Sequence, residues 1–197
     1  MKRSLLLFFC LLLLRLSAQN DADIPDPSLR KPYNLVVQTG IALQWFDVQY
    51  KAFTLAVERP LNLYNHFGIQ ANFFFPSGDG YYRDITGRSW EAGVFSKTFF
   101  HGRLTGRRSN AYFGPDMRLG RRIYIDQEPF TGVNIEREAT VYKFLARIGW
   151  QYHLGPAVME IALPLGWEQE KFKESSGYYS DTSWFIVAPS LSLGIGF

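Results

Sequence analysis

From Tyr33 to Phe197 the chain carries apolar residues at every second position, in runs of roughly nine to fifteen broken by Gly, Pro, Asn and Asp. No stretch holds a helical period, so the pattern predicts antiparallel strands throughout. Eight runs can be traced. The first sets Leu35, Val37, Thr39, Ile41, Leu43 and Trp45 against Asn34, Gln38, Gly40 and Gln44. The second sets Phe53, Leu55 and Val57 against Thr54, Ala56 and Glu58, and the third Phe67, Ile69, Phe73 and Phe75 against Gly68, Gln70 and Asn72. Trp90, Ala92, Val94, Ser96, Thr98 and Phe100 oppose Glu91 and Lys97 in the fourth, and Ala111, Phe113, Met117 and Leu119 oppose Tyr112, Asp116 and Arg118 in the fifth. The sixth has Tyr142, Phe144, Ala146, Ile148 and Trp150 against Lys143 and Arg147; the seventh has Met159, Ile161, Leu163, Leu165 and Trp167 against Glu160. The last, ending in "SLSLGIGF", carries Phe185, Val187, Pro189, Leu191, Leu193, Ile195 and Phe197 on one face, with Ala188, Ser190, Ser192, Gly194 and Gly196 between them.

Glu58, Glu91, Lys97, Asp116, Arg118, Lys143, Arg147 and Glu160 all fall on the second face, and the apolar face holds no charge. The rest of that second face is mostly Gly, Ala, Ser, Gln, Asn and Thr, too sparsely charged for the wetted side of a soluble sandwich. Small polar residues with a few balanced charges suit the inside of a narrow barrel whose apolar face meets lipid. Buried charges there must pair.

The spacers support that choice. Apart from the first, long polar connections such as "PSGDGYYRDITGR" and "DQEPFTGVNIERE" fall at one rim and shorter ones such as "HLGP" at the other. Trp45, Trp90 and Trp167 are expected near the long-loop rim, with Phe100, Trp150 and Tyr152 near the other, as two interfacial girdles. The runs match or exceed the roughly 9–11 residues needed to cross a bilayer when tilted. Pro115, Pro164 and Pro189 fall inside runs, where each removes a ladder donor, so bulges or strand ends are expected there.

The ends add location. Residues 1–19 combine Lys2 and Arg3, an apolar run from Leu5 to Leu14, and a small-residue stretch, the pattern of a secretory signal peptide. Residues 20–32 are polar and Pro-bearing and are expected to be a flexible periplasmic lead-in, leaving 33–197 as the barrel. Cys10 lies within the apolar run, so cleavage would leave no thiol or disulfide chemistry. Loss of Lys2, Arg3 and Arg15 would also bring the 21 basic residues down to 18, equal to the 18 acids. The net positive charge is therefore no argument for nucleic acid.

In this pattern the chain resembles the small outer-membrane barrels of the OmpA/OmpX type and the uncharacterised barrels of similar size in Bacteroidetes-type bacteria. The resemblance runs from Tyr33 to Phe197. It implies an all-β, eight-stranded antiparallel up-and-down transmembrane β-barrel in the outer membrane. It further implies lipopolysaccharide and phospholipid as surroundings, and a last strand (Leu191, Leu193, Ile195, Phe197) that acts as signal to barrel-assembly machinery and closes against the first.

Catalytic chemistry finds little support. Some small barrels modify lipid A with a His, a Ser and an acid. His66, His101 and His153 all fall in predicted short-rim turns and none has a His-x-Ser spacing. The histidines have no carboxylate spacing that recommends a metal, so neither metal nor cofactor is expected. "GDG" at 78–80 and "TGRRSN" at 105–110 do not sit between a strand and a helix and read as turns; Arg103, Arg107 and Arg108 are solvated charges within reach of lipid phosphates. Tyr81, Tyr82, Tyr178 and Tyr179 in long loops are a candidate binding surface or loop packing. The expectation is a non-enzymatic barrel with a sealed polar lumen and a structural or loop-presenting role. A lipid A-modifying enzyme and a soluble carrier of a small apolar ligand are the alternatives.

Overall fold

A computed structural model describes residues 34–44, 50–62, 64–76, 84–100, 109–127, 134–173 and 179–197. Ten strands form: β1 (Val36–Gln44), β2 (Tyr50–Pro60), β3 (Asn65–Phe74), the two-residue β4 (Asp84–Ile85), β5 (Trp90–Phe99), β6 (Ser109–Gln127), β7 (Asn134–Leu154), β8 (Ala157–Lys173), β9 (Tyr179–Val187) and β10 (Ser190–Gly196). With β4 set aside, successive strands pair antiparallel from β1 around to β9, and β10 pairs both β8 and β1. The sheet closes on itself. Since β9 and β10 share one register on β8, they are two lengths of a single eighth stave, and β4 is a short addition to the edge of β6. The architecture is therefore a closed eight-stranded antiparallel barrel.

Closure is made by Val36 to Ala42 against Gly196 to Ser190. It is extended at the rim by Asn34 N donating to Phe197 O (2.6 Å) and Phe197 N to Leu35 O (2.8 Å). Both ends of the described barrel thus share one rim, the terminal rim, with the two-residue turn Gly155–Pro156. Gly155 has φ 57° and Pro156 a fixed negative φ, the combination a II′ hairpin requires. The opposite, hairpin rim carries the extended β6–β7 ladder, which runs to Gln127 paired with Asn134.

The strands outrun their predicted lengths. Half of "DQEPFTGVNIERE" and most of "EQEKFK" are ladder rather than loop. The run Glu168–Phe172 is rich in charge, but it keeps the two-residue alternation of buried and half-buried positions. Expected turn positions change as well: His66 lies in β3 and is buried, and His153 lies in β7, half-buried.

The prolines correct another expectation. Registers on both sides of Pro115 and Pro164 are continuous, with no bulge. In an antiparallel ladder a residue's N–H and C=O point to the same neighbour, so a proline costs a bond on one side only. Beside Pro115 the β5–β6 ladder skips Ser96 and Lys97, while Pro115 still faces Ala146 on β7. Pro164 accepts from Ala188 N (2.8 Å) and Pro189 from Leu43 N (2.8 Å), but neither can return a donor. These adjacent losses divide the eighth stave at Ala188–Pro189, so Pro189 does mark a strand end.

Candidate functional site: the barrel interior

Burial inverts the usual distribution. Leu193 (60%), Ile161, Phe144 and Trp167 point outward and are exposed, and the other apolar residues of the alternation are exposed or half-buried. Glu58 (0%), Lys97 (0%), Asp116 (0%) and their neighbours point inward. Phe74, Phe95, Phe99 and Tyr112 also point inward, so the interior is less purely small and polar than the sequence suggests. Opposite glycines make space for these rings: a Cβ at Gly68 would run into Phe95, and one at Gly149 into Tyr112. Such alternation of small and large fills a narrow barrel.

The inward ionic groups form two layers. In the layer nearer the terminal rim, Lys97 Nζ bridges Glu58 and Glu160, and Glu58 also binds Nδ1 of His66. Arg147 reaches Glu160 (2.8 Å) and Asp116 (3.3 Å), and Asp116 is clamped by Nε (2.9 Å) and an Nη (2.6 Å) of Arg118. Remaining lone pairs are met by neutral donors: Gln38 (3.1 Å) and Tyr112 (2.6 Å) on Glu160, and Gln70 (3.2 Å) on Asp116. Lys97 also stands 5.0 Å from the Tyr112 ring centre, and Arg147 4.5 Å from that of Phe95.

In the second layer one cation gathers most of the charge. Arg122 binds Glu91 (2.7 Å), Glu168 (2.6 Å) and Glu170 (2.5 Å) and donates to Gln44 (3.1 Å). Lys143 adds bonds to Glu91 (2.6 Å) and Glu168 (3.0 Å). Trp184 Nε1 donates to Glu168 (3.1 Å), and Tyr124 to Glu170. The Arg122 guanidinium lies 4.9 Å from the Tyr50 ring centre and 5.4 Å from that of Phe74. Beyond it Tyr50, Phe74, Ile85, Tyr124, Ala139 and Phe172 form a buried apolar cluster towards the hairpin rim. A void of ≈ 10 Å³ lined by members of both layers, including Arg118, Asn72, Glu91 and Lys143, lies between them, about enough for one water.

All eight charged residues singled out from sequence are buried, six in the first layer and Glu91 and Lys143 in the second. His66, Arg122, Glu168 and Glu170 were missed. The apolar pattern puts His66 in a turn, and the other three lie in the strand extensions, where continuing the alternation of β6 and β8 past the apolar runs places them inside. Trp90, Phe100, Trp150 and Trp167 are exposed on the outer surface, and Tyr152 is half-buried. Trp45, the signal and lead-in segments, Tyr81, Tyr82, Tyr178, His101, the 78–80 and 105–108 turns and Arg103, Arg107 and Arg108 lie outside the described residues. Among the described residues no cluster of three or more His, Cys, Asp or Glu suits a metal ion.

No family model matches the chain, and no curated protein does. Among solved structures, Neisserial surface protein A aligns with a TM-score of 0.53 at 9% identity, covering 85% of this chain and 98% of that one. The attachment invasion locus protein Ail of Yersinia pestis (TM-score 0.49, 10% identity, 83% of this chain and 96% of that one) is also similar. So is the N-terminal β-barrel domain of Pseudomonas aeruginosa OprF (TM-score 0.45, 9% identity, 84% and 98%). At these identities the likeness, carried by the first of the three, is one of fold: the chain has the fold of a small outer-membrane barrel.

Proposed function

We propose that this chain is an integral outer-membrane barrel whose lumen is sealed by paired charges, and that it works as a structural or loop-presenting protein rather than an enzyme. One observation carries the reading: large apolar side chains face out on every stave while eleven Asp, Glu, Lys and Arg side chains are buried within. In water that arrangement would expose a continuous apolar surface far beyond the few hundred Å² of a soluble monomer. In a bilayer it places the apolar band in hydrocarbon and satisfies the backbone through closure. Outer-membrane lipid is the solvent this surface fits. Delivery of β10 to assembly machinery and cleavage of a signal at 1–19 belong to the same proposal.

The interior favours a plug over a carrier or a catalyst. Among the described residues, the void lined by Arg118, Glu91 and Lys143 measures ≈ 10 Å³, far below the roughly 300–1,000 Å³ of a small-molecule pocket. His66 is bound to Glu58 inside an ion-pair network, the environment of a structural histidine. Membrane fractionation tests the reading: the processed chain should co-sediment with outer-membrane markers, require detergent for extraction, and run faster on cold than on boiled electrophoresis. A chain that is monodisperse in plain buffer would overturn it. A change in lipid A mass on deletion of the gene would overturn the non-enzymatic assignment.

A further inference from the structure

The outer surface holds an arrangement that a polar plug does not require. Just beyond the apolar band on the hairpin side, Thr140 of β7 pairs with Arg121 of β6 on one flank and with Lys171 of β8 on the other. At a strand spacing of about 4.8 Å, the backbone positions of the two cationic residues lie about 10 Å apart, with a hydroxyl-bearing residue between them. All three belong to the outward phase of their strands; Arg121 and Thr140 are exposed and Lys171 is partly so. Tyr142 lies one outward position below Thr140, its ring centre 5.9 Å from Lys171 Nζ.

Two acids bear on these cations. Glu138 holds one Nη of Arg121 at 2.5 Å, which leaves the other guanidinium donors available. Asp181 is the cross-strand neighbour of Lys171 and accepts from Gln169 at 3.3 Å. Other described outward cations have different surroundings: Lys51 stands between Leu43 and the Phe75 backbone, Arg59 beside Phe67, and Arg88 is paired with Glu136.

We propose that Arg121, Thr140 and Lys171 seat the headgroup phosphate of a membrane lipid, with Tyr142 as its floor. The inference rests on the membrane reading above. The occupant is lipid-borne because the surface directly beneath, through Leu119, Phe144 and Trp167, is exposed and apolar and would cover acyl chains. Two cations flanking a hydroxyl match a phosphate's charge and its acceptor oxygens.

Native mass spectrometry of the detergent-solubilised full chain tests the seat, with phosphatidic acid as probe, diacylglycerol of the same chains as the phosphate-free control, and inorganic phosphate as competitor. The expected result is preferential retention of phosphatidic acid. The R121Q/K171Q variant should lose about 30-fold in that affinity, K171Q alone about fivefold, from roughly a tenfold-or-less contribution per cation at a lipid surface. K51Q should bind as the parent does. Unchanged binding by R121Q/K171Q, equal loss in K51Q, or full displacement by millimolar inorganic phosphate would each overturn the proposal. Cold electrophoretic mobility establishes that the variants are folded, and K171Q carries the test if the double variant is not. Failure of the membrane reading is separately visible, as a chain that needs no detergent.

Discussion

The two ionic layers of the interior solve the same problem in different ways. Nearer the terminal rim, three acids (Glu58, Asp116, Glu160) meet three permanent cations (Lys97, Arg118, Arg147), and glutamines and Tyr112 supply the remaining donors. Charge is shared there, and each carboxylate has more than one partner. Towards the hairpin rim, three acids (Glu91, Glu168, Glu170) depend on two cations, and Arg122 alone touches all three. A dispersed network tolerates the loss of one member, whereas a hub does not. The cost of removing a partner is the stranded charge rather than the pair's own worth.

Arg122→Met breaks the comparison most directly, leaving Glu170 with Tyr124 as its neighbour and Glu91 and Glu168 with Lys143. It should cost about 5 kcal/mol, the upper end for breaking a buried pair, read as the urea midpoint of tryptophan fluorescence or as failure to reach the membrane. Lys97→Met should cost less, about 3 kcal/mol, the lower end of the same range. Glu58 keeps His66, and Glu160 keeps Arg147 and Gln38. Equal losses in the two variants would remove the distinction between hub and network. The double variant Glu58→Gln with Lys97→Met should recover part of that cost, since removing both charges leaves fewer stranded.

On the other face of the wall, Leu193→Arg should impair assembly by roughly 2–4 kcal/mol, falling towards zero away from the midplane. Leu193→Ile should be silent in membrane yield and in heat-modifiable mobility, and equal tolerance of the two would argue against lipid outside. The smallest effect is expected for Glu138→Gln. Its pair with Arg121 is solvent-exposed, and such pairs contribute little. The denaturation midpoint should not move, although lipid phosphate retention at the neighbouring seat should rise as the competing acid is lost.

Much of this was visible in the chain, and the visible part has one physical origin. A two-residue period fixes which side of a strand each residue occupies, so phasing Met159, Ile161 and Leu163 together also puts Glu160 on the other side of the wall. The strand ends were less visible. Apolar runs stop where the outward face leaves the apolar zone, but ladder hydrogen bonds continue through polar sequence; the apolar alternation therefore stops short of Arg122, Glu168 and Glu170. His66 was lost to the same cause at the other rim, beside Pro60 and Asn62. The prolines misled because sequence shows a missing donor but not which neighbour loses it.

By itself the sequence determined the alternation, the number of staves and which residues of each run share a face, because these follow from local geometry and repeat along the chain. Only the closed sheet decided that Lys97 lies between Glu58 and Glu160, and that Arg122 gathers carboxylates from β5 and β8. Such partners lie across the lumen or on neighbouring staves. Which of them meet depends on how far each strand is staggered when the barrel shuts, a quantity no single strand carries.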